Sequence, residues 1–165
     1  MNKKLLLIIF LLAGIGAVHA SNLQAVDAST ITPALKLRDL NGKEHDLSQY
    51  RGQIVLVQFW ATYCTPCRKE MPSMNNLMKK MGKVPFRILA VNMGETDEEV
   101  KTFVKEVKPD FPILMDPDGH SITDWKVFAA PSNFIVGPDG KVRYTLFGGV
   151  EWDSDELVTT LKAIK

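Results

Sequence analysis

The sequence predicts an α/β fold in which a mixed central sheet is flanked by helices. Two runs of β-branched and aromatic residues, Ile54–Trp60 and Phe86–Met93, have the continuous apolarity of strands that are covered on both faces. Each run is followed by a segment whose apolar residues recur at three- and four-residue steps, as on one face of a helix. This alternation of strands and helices indicates parallel strands that are joined by crossover helices.

The first twenty residues have the layout of a secretory signal peptide. Lys3 and Lys4 give a basic start, Leu5–Val18 is almost wholly apolar, and small residues precede Ser21. The apolar run has about 14 residues, whereas a membrane-spanning helix needs roughly 20. We therefore expect cleavage after Ala20 and a periplasmic protein. The alternative is a domain that an uncleaved signal tethers to the membrane.

The chain after the signal has the size of one domain. Removal of residues 1–20 leaves 145 of the 165 residues, enough to bury a single core. We divide the chain into the signal peptide (1–20), a flexible lead-in of small and polar residues (21–33) and one folded domain (34–165). The 20 basic and 19 acidic residues nearly balance. Without a long basic run, the sequence gives no indication of a nucleic-acid partner.

The first half of the domain is predicted to form a hairpin, a buried strand and a long helix. Asn41-Gly42, the dipeptide that best supports a two-residue turn, separates strands at Leu35–Asp39 and Glu44–Leu47. The first apolar run then supplies the buried strand. An apolar stripe through Thr65–Met81, rich in methionine, predicts a helix that packs on the core.

The second half is predicted to complete the sheet. Thr96 and the acidic residues after it suit a helix start, and the Pro138-Asp139-Gly140 turn joins two antiparallel strands. After the second apolar run, the predicted strands are Phe111–Met115, Ser132–Val136 and Lys141–Phe147, and the later helices are Ser121–Phe128 and Asp153–Ile164.

The reactive chemistry of the sequence is concentrated in its only two cysteines, Cys64 and Cys67. They follow a central strand directly, at the edge of the sheet where ligand chemistry collects in open α/β folds. The loop between them is too small for a disulfide of much structural value. A structural zinc site needs four donors, and the mature chain adds only His45 and His120, both expected at the surface. Redox exchange is therefore favoured over a structural disulfide or a metal site.

The position of the pair predicts different roles for the two sulfurs. Only a thiolate attacks a disulfide, and an ordinary thiol pKa of about 8.5 leaves a minority ionised at neutral pH. If the helix starts at Thr65, its free amides and its dipole favour the thiolate of Cys64. Pro66 suits the first helical turn because its missing amide proton is not needed there. We expect Cys64 to attack and Cys67, one turn further on, to resolve the mixed disulfide.

The segment FWATYCTPCRKEMP resembles the active-site segment of the exported TlpA/ResA-like thiol:disulfide oxidoreductases, and the segments AVNMGE, FPILMD and FIVGPDGKV resemble the family's pattern in the same order. The resemblance implies a thioredoxin-like mixed central sheet flanked by helices, with an N-terminal β-hairpin and a central strand–helix insertion. It implies that Trp60 packs beneath the cysteines and that Pro131 is a cis-proline beside them. The residues it implies for substrate binding are Trp60, Tyr63, Pro66, Ala130 and Pro131.

Three positions depart from the family's pattern. Classical thioredoxins place a buried aspartate six residues before the first cysteine, and Gln58, which cannot accept a proton, stands there instead. Glu70 lies one helical turn after Cys67, so we expect it to manage the proton of that thiol, as the glutamate of some TlpA/ResA-like members suggests. The alternative is a solvated glutamate on the helix surface. Tyr63 replaces the usual tryptophan, and Ala130 precedes the proline where other residues are common, so partner fit should differ.

These observations predict an exported thiol:disulfide oxidoreductase that needs neither cofactor nor metal. No residue between the cysteines adds a donor to the thiolate, so we expect a reductant of disulfides in periplasmic proteins. It would serve cytochrome c maturation or metallochaperone thiols. The expected partners are disulfide-containing exported proteins and a membrane thiol electron donor, and we expect a monomer.

Two other functions stay open at this point. The CxxC sulfurs could belong to a copper-binding or docking module. A peroxiredoxin-like peroxidase is disfavoured because Ala61 stands where a peroxidatic Cys64 would need a threonine.

Overall fold

The structure is a computed structural model that describes residues 23–165, so the predicted signal peptide lies outside the described residues. The predicted mixed sheet is confirmed: eight strands follow the order β1-β8-β7-β4-β5-β6-β2-β3. The strands are β1 Gln24–Ala25, β2 Lys36–Asp39, β3 Glu44–Asp46, β4 Ile54–Trp60, β5 Phe86–Asn92, β6 Ile113–Met115, β7 Ser132–Val136 and β8 Val142–Phe147. The α-helices are α1 Thr65–Met81, α2 Asp97–Val107, α3 His120–Asp124 and α4 Asp155–Lys162.

Three parallel strands form the centre of the sheet. Strand β5 pairs in parallel with β4 on one side and with β6 on the other, so their carboxyl ends share one edge. Strand β7 lies antiparallel to β4, and β8 lies antiparallel to β7. The hairpin β2–β3 extends the sheet beyond β6. All seven residues of β4 are buried, as its continuous apolar sequence predicts.

Two apolar cores lie on opposite faces of the sheet. Helices α1, α2 and α4 supply buried residues to one core, which contains Met71, Phe103 and Leu161. The other core is covered by a short 3-10 turn at Leu47–Tyr50, by Trp125 and by the partly buried side of α3. Helices therefore flank both faces as predicted, but the long ones all lie on the same face.

The residues before the first predicted strand are part of the sheet. We described residues 21–33 as a flexible lead-in, but Gln24 and Ala25 pair with Thr145 and Tyr144 on β8. The N–H of Val26 continues the contact by donating to the carbonyl oxygen of Arg143 at 2.9 Å. The prediction is therefore corrected for residues 24–26, which pair with the edge strand of the domain, and stays a prediction for the rest of the lead-in.

Two local predictions also need correction. The N–H of Gly42 donates to the Asp39 carbonyl at 2.8 Å, and Asp39 N–H donates to the Lys43 carbonyl at 2.9 Å. The turn therefore has three residues rather than two, with Gly42 at φ +80°. Helix α3 ends at Asp124, before the predicted end at Phe128, because Lys126 adopts a left-handed φ of +52° that no helix continues.

His45 was predicted to be exposed, but only 3% of it is accessible. Its Nε2 lies 2.9 Å from a carboxylate oxygen of Asp39, and its Nδ1 lies 2.6 Å from the hydroxyl of Tyr50. The imidazole thus joins the N-terminal hairpin to the 3-10 turn. Among residues 23–165, no helix has the length and apolarity needed to cross a membrane.

Candidate active site

Cys64 caps the amino end of α1, directly after the carboxyl end of β4. Its backbone is extended, with φ −80° and ψ 99°, and its Sγ accepts a hydrogen bond from the Cys67 N–H at 3.2 Å. Pro66 lies in the first turn of the helix, where backbone N–H groups have no acceptor within the helix. Its lack of an N–H therefore costs no hydrogen bond there. The Cys64 sulfur therefore lies at the positive end of the helix dipole, which stabilises its thiolate when the pair is reduced.

A disulfide joins Cys64 to Cys67 in this structure. Cys64 is 7% exposed, whereas Cys67 has no exposed surface. A substrate disulfide can therefore approach only Cys64 without a change of structure. This difference in access supports the prediction that Cys64 attacks and Cys67 resolves.

Trp60 is buried in the same core as the cysteine pair, not on the surface of the site. It has no exposed surface and belongs to the same buried cluster as both cysteines. Its ring centroid lies 4.6 Å from that of Phe103 on α2. In this disulfide-bonded state Trp60 therefore offers no surface to a substrate, and its part in substrate binding stays a prediction.

The other residues predicted for substrate binding differ in their exposure. Tyr63 is 77% exposed, and Pro66 is also exposed. Ala130 is half-buried and Pro131 is buried. The peptide bond between Ala130 and Pro131 is cis. Because Ser132 of β7 pairs with Phe59 of β4, this bond lies beside the carboxyl end of β4, next to the turn that leads to Cys64.

Glu70 is buried on the inner face of α1, with 2% of its surface exposed. The alternative of a solvated surface glutamate is therefore wrong. Gln58 Nε2 donates to its Oε1, while the Val150 N–H at 3.2 Å and the Trp152 Nε1–H at 3.3 Å donate to its Oε2. Burial raises the pKa of Glu70 to about 7, although these hydrogen bonds oppose the rise. The carboxyl group is therefore poised to gain or lose a proton near neutral pH.

Glu70 and Cys67 occupy positions three residues apart on α1, and both are buried. Side chains at this spacing lie one above the other on a helix, with Cβ atoms about 5–6 Å apart. A cleft of about 230 Å³ borders Glu70 and is lined by Pro66, Lys69 and Gly149 among others. The acid is thus close to the resolving cysteine and lies beside a channel to solvent.

Sequence reasoning missed a second acidic residue, Glu95, which holds the turn before Cys64. Its carboxylate accepts from the Thr62 N–H at 2.7 Å and from the Thr62 hydroxyl. The buried Asn92 side chain donates to the same carboxylate at 2.7 Å and accepts from the Glu95 N–H at 3.0 Å. Since β4 and β5 are parallel neighbours, the end of AVNMGE had to lie near the cysteines. That signal was available in the sequence.

No group of three metal-ligating side chains of His, Cys, Asp or Glu occurs within residues 23–165. His45 contacts Asp39 and Tyr50. His120 is exposed at the start of α3.

A disulfide at the amino end of a helix can exchange with another disulfide. Together with a central sheet of this topology, it defines the class of proteins as thioredoxin-fold thiol-disulfide oxidoreductases. The thiol-disulfide oxidoreductase ResA of Bacillus cereus is 35% identical over 99% of this chain and 97% of its own length. The model of the AhpC/TSA family matches residues 29–145. The chain belongs to the AhpC/TSA family and, within it, to the ResA-like thiol-disulfide oxidoreductases.

Solved structures agree with this assignment and confirm the predicted thioredoxin-like fold. The thioredoxin domain of a thiol-disulfide oxidoreductase from Bacteroides vulgatus superposes with a TM-score of 0.71 at 25% identity, over 84% of this chain and 97% of that one. The exposed lipoprotein thioredoxin Etrx1 of Streptococcus pneumoniae gives a TM-score of 0.69 at 26% identity, over 79% of this chain and 99% of that one.

The contact between Glu95 and Thr62 yields a testable prediction. Glu95→Ala should lower kcat/KM for reduction of a disulfide peptide by about tenfold, because the turn before Cys64 loses its anchor. The matched control is Asp46→Ala. Asp46 accepts from the N–H and hydroxyl of Ser48 in the same way, but at the start of the 3-10 turn, away from the cysteines. This control variant should lose about 1 kcal/mol of unfolding free energy, measured in urea, and keep the wild-type kcat/KM. Equal loss of rate in the two variants would contradict the prediction.

Proposed function

We propose that this protein is an exported reductant that gives electrons to disulfides in periplasmic proteins. The observation that carries the proposal is the environment of the Cys64 sulfur, which accepts one hydrogen bond, from the Cys67 N–H. Strongly oxidising members of the fold stabilise the reduced thiolate heavily, and a single backbone donor together with the helix dipole gives much less stabilisation. The disulfide is therefore the stable form, so the reduced pair readily gives up its electrons.

Export is supported by residues 1–20 and by the relatives. The basic start and short apolar run favour a cleaved signal and release into the periplasm. The relative from Streptococcus pneumoniae is named as an exposed lipoprotein. We propose the cleaved, periplasmic form first and the form tethered by an uncleaved signal second, and we propose that the domain acts as a monomer.

The proposed reaction begins from the reduced pair. The Cys64 thiolate attacks one sulfur of the substrate disulfide, the substrate S–S bond breaks, and the other substrate sulfur leaves as a thiolate. Cys67 then loses its proton to the Glu70 carboxylate and attacks the Cys64 sulfur. This breaks the mixed disulfide, frees the second substrate thiol and forms the Cys64–Cys67 bond seen here. Recharging requires two electrons from a thiol donor, which for an exported enzyme lies in the membrane.

The substrate surface is proposed to lie between the exposed Tyr63 and Pro66 on one side and Ala130 and Pro131 on the other. Strand β7 itself already pairs with β4 and β8, so an extended substrate segment would pair its backbone with the residues just before Pro131. Candidate substrates are oxidised cysteine pairs in proteins of cytochrome c maturation or in metallochaperones.

The direction of electron flow can be measured directly. Equilibration of the protein in glutathione and dithiothreitol buffers should give a reduction potential below about −180 mV, the value typical of disulfide isomerases. The fraction of free thiol is read by mass after alkylation. A potential above that value would make the protein an oxidant and overturn the proposed direction, although not the exchange chemistry.

The roles of the two cysteines can be separated by trapping. Cys67→Ser should accumulate mixed disulfides with exported proteins through Cys64, because the resolving thiol is lost. Cys64→Ser is the matched control and should trap almost nothing, since its remaining thiol has no exposed surface. Mass spectrometry of the trapped species would identify the substrates. Abundant trapping by Cys64→Ser alone would reverse the assignment.

Proton transfer by Glu70 predicts a specific pH dependence. Its pKa of about 7 means that the carboxylate, the form that accepts a proton, predominates above that pH and is lost as the pH falls through it. Single-turnover resolution of the mixed disulfide should therefore slow below pH 7. Glu70→Gln should slow resolution by about 100-fold at pH 8 and remove this limb of the profile. Glu99→Gln, which changes the same charge on α2, should keep the wild-type profile. If resolution by Glu70→Gln still slowed below pH 7 as in the wild type, the proton-transfer role of Glu70 would be excluded.

A further inference from the structure

Two buried amide oxygens lie close to the acidic site without a hydrogen-bond partner in the described part of the chain. They are Gln58 Oε1 on β4 and Asn133 Oδ1 on β7. Neither residue has any exposed surface. Leaving a buried acceptor unpaired costs about 1–3 kcal/mol, so native proteins retain such atoms only where another state of the site uses them or strain is tolerated.

The two amides occupy directly opposed positions on neighbouring antiparallel strands. Side chains at such positions point to the same face of the sheet, with Cβ atoms about 4.5–5.5 Å apart. Here that face is the one covered by α1. The other end of the Gln58 amide, Nε2, donates to Glu70 Oε1 and contacts Met74 Sδ at 3.2 Å. Asn133 Nδ2 donates to the Leu146 carbonyl at 3.3 Å. Gln58 is therefore a neighbour of both Glu70, which its Nε2 contacts, and Asn133, which lies opposite it on β7.

The observed orientation of the Gln58 amide suits one protonation state of Glu70. A carboxylate accepts hydrogen bonds only, and Nε2 supplies a donor. A protonated carboxyl group instead carries an O–H that needs an acceptor. A half-turn of the amide would bring Oε1 to Glu70 and Nε2 toward Asn133 Oδ1. Both unpaired oxygens would then have a partner.

We propose that Gln58 and Asn133 are positioning residues for the proton of Glu70. The Gln58 amide donates to the carboxylate, and it turns over to accept from the carboxylic acid while donating to Asn133 Oδ1. The inference rests on the proposed function, in which Glu70 takes the proton of Cys67. It adds an explanation of how Glu70, Gln58 and Asn133 keep hydrogen-bond partners both before and after that proton transfer.

The charged and titratable groups around Glu70, Gln58 and Asn133 come from two parts of the chain. Cys64, Cys67 and Lys69 belong to α1, and Glu151 lies beyond β8, where its charge favours the protonated form of Glu70. Strands β4 and β7 contribute no titratable residue. Cysteines held in a disulfide do not titrate. The oxidised protein therefore isolates the titration of Glu70.

The test is a pH titration of the disulfide-bonded protein with its glutamate carboxyl carbons labelled with ¹³C, in which Glu70 is assigned by Glu70→Gln. Gln58→Met removes the donor to the carboxylate and the acceptor from the carboxylic acid; because the bond to the charged form is the stronger of the two, the Glu70 midpoint should rise, by up to about one pH unit. Asn133→Leu removes the acceptor used only by the protonated state and should lower the midpoint by about half a unit. Glu99 on α2 serves as the internal control and should titrate alike in every variant.

The opposite signs of the two shifts distinguish the proposal from a merely structural role. Shifts of the same sign, or no shift in Asn133→Leu, would overturn it. If either variant fails to fold, a measurement on the wild-type protein tests the proposal instead. The nuclear Overhauser contact from the Gln58 side-chain amide protons to the Met74 methyl should weaken as Glu70 protonates, and an unchanged contact would overturn the proposal.

Failure of the proposed function is detected separately. Glu70→Gln with an unaltered pH–rate profile would remove Glu70 from turnover. The titration midpoints of Gln58→Met and Asn133→Leu are read on the resting protein and do not depend on that result.

Discussion

The position of Cys64 at the amino end of α1 is the constraint on which the rest of the site depends. The sulfur lies there because β4 is buried along its whole length and ends one short turn before the helix. Any shift of β4 relative to α1 would move the sulfur away from the helix dipole and from the Cys67 N–H. The contacts of Trp60 with Phe103, at the end of β4, and of Thr62 with Glu95, within that turn, both oppose such a shift.

The acidic site is built from parts of the chain that are distant in sequence. Glu70 belongs to α1, Gln58 to β4, and Trp152 to the segment after β8. The carboxyl group takes its hydrogen-bond donors from two of these parts, β4 and the segment after β8, and its pKa of about 7 leaves it free to exchange a proton near neutral pH. In the proposed mechanism it gives the resolving cysteine a proton acceptor within the protein. This matters because Cys67 itself is inaccessible to solvent.

Much of the fold followed from local sequence patterns. The buried strand β4, the helix α1 and the strand β7 have the bounds that their sequences predicted, because each is defined by a long or sharply bounded apolar pattern. The exceptions were decided by contacts that such patterns do not report. Residues 23–33 join the sheet through two backbone pairings, and their own composition carries little sign of this. His45 is buried because Asp39 and Tyr50 both reach it.

For the same reason, some features of the site could be predicted from the sequence and others could not. The cysteine pair and the cis-proline are marked by short motifs, and the interest of Glu70 followed from helical spacing. Its burial could not be predicted, since that depends on Val150 and Trp152, about eighty residues away. Gln58 was set aside because an amide cannot take up a proton. Its contact with Glu70 depends on how β4 lies against α1, which requires the three-dimensional structure.

The short pairing of β1 with β8 also fixes where Leu23 lies relative to the site. Because the two strands are antiparallel and Gln24 lies opposite Thr145, Leu23 lies toward the Phe147 end of β8. Phe147 lies opposite Ser132, and Gly148 N–H donates to the Pro131 carbonyl at 3.0 Å. Leu23 therefore lies at the end of the sheet that carries the cis-proline and the cysteines. In the proposed tethered form, an attachment on this side would hold the reactive sulfur toward the membrane, where the proposed thiol donor lies.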